Sequence, residues 1–180
     1  MKSPLRRFGA LALLLLLLLS AVSCSSNPLT PPDGMQLCSK DTLEYAFFVP
    51  NSWSVNAKSD ATSAFISLGS DNKPKASVSV TSYGAEIELD LDGYWDICEE
   101  EYRKEFKSFT FIAESATVVA GKNAKEFIYT ADFSGVTYKF SQTVFIDRGM
   151  FYIITYTARP DSYDTFRADL DAMRNAFTFR

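Results

Sequence analysis

The 180-residue chain contains no histidine. That absence removes Ser-His-Asp and Cys-His nucleophile systems and every histidine-ligated zinc site. It also removes the one side chain that titrates near neutrality without help from its surroundings. Cysteine is scarce, with three in the chain, Cys24, Cys38 and Cys98. The eight glycines stand singly, mostly at turns, so no glycine-rich phosphate-binding loop is present. Positive charge is in short supply, with 18 Lys and Arg against 22 Asp and Glu. Residues 1–23 hold three of those basic residues and no acidic one, which leaves 15 against 22, a formal charge of −7. A domain this acidic is not suited to hold nucleic acid or an anionic lipid surface through bulk charge.

Apolar residues are concentrated at the start. Lys2, Arg6 and Arg7 precede a nearly unbroken apolar run from Phe8 to Val22, all leucine from Leu13 to Leu19. Small residues close it at Ser20, Ala21, Val22, Ser23 and Cys24. A charged start, an apolar centre and a small-residue end follow the order of an export signal. The run is short for a spanning helix, which needs about 20 residues, and polar Ser25, Ser26 and Asn27 follow at once. The cysteine behind small residues resembles the lipobox of bacterial lipoproteins. That resemblance implies a diacylglyceryl group on the Cys24 thiol, with acyl chains of the palmitate type, and cleavage before Cys24. It also implies a lipid anchor on the extracytoplasmic face of a bacterial membrane. Ala21 stands where leucine is usual, three places before the cysteine. An ordinary secretory signal cut behind Ala21, Val22 and Ser23, and an uncleaved membrane anchor, are the competing readings. The expected organisation is a signal peptide at 1–23, a Pro/Ser-rich tether at 24–36 and one domain at 37–180, a length that suits a single core. Pro28, Pro31 and Pro32 stiffen the tether, and about ten such residues reach roughly 30 Å.

Fifteen Phe, nine Tyr and two Trp fall largely in alternating runs, a composition that favours sheet. Leu43 to Val49, Trp53 to Val55, Ala64 to Leu68 and Ala76 to Tyr83 read as strands, separated by polar turns. A helix is expected from Asp90 to Phe106, because Leu91, Trp95, Cys98, Tyr102 and Phe106 recur on one helical face. Asp90 and Asp92 sit where the helix dipole favours acids. Glu99 with Arg103, and Glu100 with Lys104, stand four apart in the favourable order. A meander follows, Phe109 to Ala120, Ala124 to Phe133, Val136 to Ile146 and Met150 to Ala158, reversing near Gly121, Gly135 and Gly149. Strands joined so tightly must be antiparallel. Both faces of the last two carry large side chains, which implies cover on both sides of the sheet centre. Beyond Pro160, Asp161 or Ser162 is expected to cap a last helix whose stripe is Tyr163, Phe166, Leu170, Met173 and Phe177.

The segment Phe48-Val49-Pro50-Asn51-Ser52-Trp53 resembles the opening of PsbP-like domains, known from an extrinsic protein of plant photosystem II. The strand-glycine-strand turn Val119-Ala120-Gly121-Lys122-Asn123-Ala124 is similar too, as are the long hairpin to Tyr156-Thr157-Ala158 and the closing helix through Ala176 and Phe177. A Ran-binding nuclear-transport protein of the Mog type shares that fold. The resemblance spans about Leu37 to Arg180 and implies an α+β domain, an antiparallel β-sheet flanked by helices on both faces as an α/β/α sandwich. It concerns fold rather than chemistry and supplies no mechanism.

Four constellations carry chemistry in principle. Glu88, Asp90, Asp92, Gly93, Asp96 and Glu99 fall on the first, third, fifth, sixth, ninth and twelfth places of a calcium loop. The first place is Glu rather than Asp, no helix precedes it, and Leu91 is needed by the helical stripe, so an acidic helix start is the expectation and no tight metal site. Trp53 is either a sugar-stacking platform or a core residue, and the core is expected. Cys38 and Cys98 can pair in an exported domain, while Cys98 on a buried stripe can equally pack as a free thiol. Pairs of Asp and Glu could support glycoside hydrolysis, but spacing along a chain does not show carboxylate separation.

The expected role is therefore a membrane-anchored extracytoplasmic lipoprotein acting without catalysis or cofactor. It would be a binding or accessory module for an envelope protein complex or ligand. The partners are the membrane, through the lipid, and a protein of the cell envelope, with no nucleic acid. The polar tips Ser70 to Pro74, Gly121 to Asn123 and Asp147 to Gly149 are the expected contact points. The alternative is a carboxylate-dependent hydrolase acting on envelope or extracellular substrates.

Overall fold

A computed structural model describes residues 29–56, 61–68, 73–84 and 89–180. The chain divides into two units between Thr30 and Pro31. The expected signal peptide, Cys24 and most of the expected tether lie outside the described residues. In the second unit the elements run β1 (Met35–Leu37), β2 (Tyr45–Ala46), β3 (Phe48–Pro50), β4 (Ser54–Val55), β5 (Thr62–Leu68) and β6 (Pro74–Gly84). Then come α1 (Leu91–Glu105), β7 (Phe109–Val119), β8 (Lys122–Phe133), β9 (Val136–Asp147) and β10 (Met150–Ala158). A 3₁₀ turn (Tyr163–Phe166) leads into α2 (Arg167–Ala176), and β11 (Thr178–Phe179) ends the chain. The domain is mostly antiparallel sheet with two helices. Among the described residues no helix is long and apolar enough to cross a membrane.

Seven strands form one sheet in the order β4-β5-β6-β10-β9-β8-β7. Its long half is set by three two-residue reversals, Ala120–Gly121, Ser134–Gly135 and Arg148–Gly149, whose six residues all have φ between 47° and 78°. Paired positive-φ residues give the hairpin turn whose twist matches that of the strands, and glycine adopts such angles without steric cost. The reversal expected at Gly121 to Asn123 thus begins one residue earlier, and Lys122 and Asn123 belong to β8. Between Phe111 and Ala113 the register with β8 shifts, so Ile112 is an extra, exposed residue on the edge strand.

The first strands are more broken than their aromatic run suggests. Tyr45–Ala46 pairs with β11, while Phe48–Pro50 pairs with Met35–Leu37. The expected strand from Leu43 to Val49 is therefore two short pieces in two small sheets. Met35 and Gln36 face Pro50 and Val49, so pairing starts two residues inside the segment read as tether.

Side-chain alternation along the sheet divides the core. Ala124, Phe145, Tyr152, Ile154 and Tyr156 cluster with Trp53, Phe47, Leu170, Met173 and Phe177. Phe127, Tyr129, Ala131, Val144, Phe151 and Ile153 cluster with Tyr94 and Trp95. Five consecutive residues of β9, Ser141 to Phe145, are all buried, which requires cover on both faces there. Asp90 caps α1 by accepting from the Gly93 N–H at 2.8 Å. The second helix starts differently from expectation. Neither Asp161 nor Ser162 caps it; Ser162 donates instead to the Arg159 carbonyl at 3.3 Å, and the 3₁₀ turn supplies the start.

Candidate functional site

Helix α1 ends where Phe106 becomes extended, its N–H donating to the Tyr102 carbonyl at 3.0 Å. The outgoing chain is tied to the end of β8, because the Asp132 N–H donates to the Ser108 carbonyl at 3.2 Å. Between helix end and hairpin lies a groove of about 620 Å³, lined by Glu101, Tyr102, Glu105, Phe106 and Lys107 on one side and Asp132 to Gly135 on the other. Phe133 stands 62% exposed at its edge, the most exposed large apolar residue described. A single exposed ring is ordinary, but beside a concave apolar surface it makes this groove a candidate binding site.

The floor is held firmly. The Tyr102 hydroxyl donates to Gln142 Oε1 at 3.2 Å, and Gln142 Nε2 donates to the Tyr102 hydroxyl oxygen at 3.0 Å. Burial raises the proton affinity of that hydroxyl, so it stays neutral. The lining carries three carboxylates, Glu101, Glu105 and Asp132, against one ammonium, Lys107. Lys104 reaches Glu101 at 3.0 Å, and the Thr137 hydroxyl donates to Asp132 Oδ1 at 2.6 Å. The carbonyl end of α1 adds partial negative charge. The groove is therefore apolar below and negative at its rim.

A second polar constellation lies in the core. Glu126, on β8 between Ala124 and Ile128, is 4% exposed. Arg167 and Arg174 of α2 both reach it, Arg167 Nη2 at 2.7 Å and Arg174 Nη1 at 3.2 Å. The Ser141 hydroxyl also donates to it. Burial pushes the Glu126 carboxyl up, but the two guanidinium groups and the hydroxyl outweigh it and hold it down at about 2. The carboxyls of Glu100 and Asp147 also shift downward, Glu100 beside Lys104, Asp147 beside Lys122 and Arg148. These three carboxyls hold a charge rather than a transferable proton. Glu126 was not singled out in the sequence, although a signal existed: it is an acid on the apolar side of a strand, and Arg167 and Arg174 stand seven apart on one helical face.

The residues singled out in the sequence scatter. Cys24 lies outside the described residues, as does Glu88. Asp90 caps α1, Asp92 pairs with Lys125, Asp96 is exposed, and Glu99 accepts from Trp95 Nε1 at 3.0 Å and from Arg103. Cys38 and Cys98 are free thiols in different core clusters. Burial pushes the Cys38 thiol up to about 11 and raises that of Cys98, so neither is a ready nucleophile. Trp53 is buried and donates from Nε1 to Asp169 Oδ2 at 2.7 Å, which makes it a core residue tying the β3–β4 turn to α2. Of the expected contact tips, Ser70 to Asn72 lie outside the described residues. Asp147 is not an exposed tip, since its side chain is buried against Lys122 at 2.6 Å and Arg148 at 2.8 Å.

The fold has known counterparts. It is similar to the solution structure of cyanobacterial PsbP (CyanoP) from Synechocystis sp. PCC 6803, at 15% identity and a TM-score of 0.58, over 87% of this chain and 99% of that one. It is similar to the Saccharomyces cerevisiae Ran-binding protein Mog1p, at 12% identity and a TM-score of 0.57, over 81% and 95% of the two chains. A Pseudomonas aeruginosa protein of unknown function matches at 18% identity and a TM-score of 0.55, over 78% and 94%. The chain has the PsbP-like fold. No protein-family model matches the sequence. No curated protein matches it.

Proposed function

We propose that this protein is a lipoprotein anchored through Cys24 to the extracytoplasmic face of a bacterial membrane, where its domain is a non-catalytic binding or accessory module for an envelope protein complex or ligand. The observation that carries the binding role is the exposed Phe133 ring beside the groove at the end of α1. The export signal supports the location, and the Pro-rich stretch behind Cys24 gives the domain reach from the lipid surface. The fold supports an α/β/α sandwich, with α1 on the Trp95 and Phe127 side of the sheet and α2 on the Phe145 and Tyr152 side. Tethering raises the effective concentration of the groove near membrane partners.

Detergent partitioning tests the anchor. Wild type goes to the detergent phase, and Cys24→Ala is released or accumulates unprocessed. A wild-type protein wholly in the aqueous phase with a free amino terminus at Ser25 or later overturns it. Capture from cross-linked cells with wild type and Phe133→Ser tests the module. A specific companion lost in the variant supports the reading. Turnover of glycoside, ester or peptide substrates by the purified chain, abolished by changing one Asp or Glu with the fold retained, replaces it with the carboxylate hydrolase.

A further inference from the structure

Resting on that reading, we infer that the groove takes a segment of a partner protein that presents a basic side chain next to an apolar or aromatic one. Tyr102, Phe106 and Phe133 offer ring surface; of the three carboxylates Glu101 is shared with Lys104, and Glu105 and Asp132 outnumber the one lining lysine, Lys107. The carbonyl end of α1 adds to that potential. A guanidinium or ammonium on an apolar stem matches both features, since its stem packs on apolar surface while its head meets carboxylate and ring faces.

The domain already holds its own cations in this manner. Arg103 lies 5.0 Å from the Phe109 ring centre while bonding Glu99 at 3.1 Å. Arg148 lies 5.7 Å from the Phe179 ring while bonding Asp147 at 2.8 Å. Each pairs one basic side chain with a ring and a carboxylate, the same combination that the groove presents to solvent. A metal ion fits less well, because among the described residues no three acidic or cysteine side chains converge as ligands would. A second copy fits less well too, because the mature chain is strongly acidic and like charge opposes the approach.

The test is a fluorescence-anisotropy titration of the full chain in detergent, with empty detergent as blank, against a labelled Phe-Arg-Trp-Lys peptide. Its Phe-Glu-Trp-Glu and Ser-Arg-Ser-Lys analogues are the controls. Saturable binding is expected for the first, at least tenfold weaker for each analogue. Phe133→Ser and Glu105→Lys each weaken it at least tenfold, and Glu105→Lys narrows the gap between basic and acidic peptides. Both positions are exposed, so both variants retain the wild-type melting temperature. No saturable binding, equal binding of acidic and basic peptides, or wild-type affinity in both variants overturns the inference. If capture from cells depends on Phe133 but the peptides show no charge preference, the binding module stands and the basic partner falls.

Discussion

In the core cluster that α1 joins, Trp95 stacks on Phe127 at 4.3 Å and 3°, and Tyr129 stacks on Phe140 at 4.9 Å. In the cluster that α2 joins, rings also meet, with Phe145 stacked on Tyr152 at 5.4 Å, but Glu126 is buried beside them between two arginines. The first cluster is held by contacts that depend on shape and area. Each ring adds its share, and a neighbour can take up part of a loss. The second depends on a set of charges that must all be present. Removing Glu126 leaves Arg174 charged and largely cut off from water, while Arg167 keeps part of its side chain exposed. Stability in the first cluster is spread over many residues, and the second adds to its own apolar packing a small set of charges that depend on one another.

Glu126→Ala breaks this comparison most forcefully. It leaves Arg174, 9% exposed, without its buried counter-charge and is expected to cost about 3–5 kcal/mol in urea unfolding. The same carboxyl gives a pH signature. Held at about 2 against an ordinary 4.5, it contributes stability that is complete above 4.5 and is lost as pH falls toward 2. Wild type should lose stability over that window more steeply than Glu126→Gln. Replacing Glu126, Arg167 and Arg174 together by Leu, Met and Met removes the whole set. It is expected to be neutral or to stabilise by about 1–4 kcal/mol, the opposite sign from the single change. Phe127→Leu, in the ring cluster, is expected to cost about 1–2 kcal/mol, since an apolar residue of similar size refills most of the space. Gly135→Ala at φ 78° is expected to cost a similar amount, about 1–2 kcal/mol, because a Cβ there meets no atom within 4 Å and the cost is backbone conformation alone. If Phe127→Leu proves as costly as Glu126→Ala, the contrast between the clusters is wrong.

The ring cluster was readable in the sequence because periodicity reports it. The spacing of Leu91, Trp95, Cys98, Tyr102 and Phe106 gave α1 to within a residue at each end, and single glycines marked the reversals. The stripe of the last helix, through Leu170 and Met173, was equally plain. The ionic set was not, because a pattern of apolar positions treats Glu126 as a gap, and its partners lie 41 and 48 residues away on α2. The split between β2 and β3 was hidden because Phe47, between them, continues the apolar run although pairing changes partner there. The groove was invisible for the same reason. It forms where the end of α1 meets the β8–β9 turn, and neither piece carries a motif. Phe133 alone gave a hint, as a large ring directly before a tight Ser-Gly reversal.

The claim that the domain binds a partner through this groove is tested most directly by photocrosslinking in intact cells producing the full chain. A photoreactive residue is placed at Phe133, and in a control at Val118, which is 59% exposed on the edge strand. One discrete adduct is expected from position 133, and none of that mass from position 118. No adduct at position 133, or the same adducts from both positions, would contradict it.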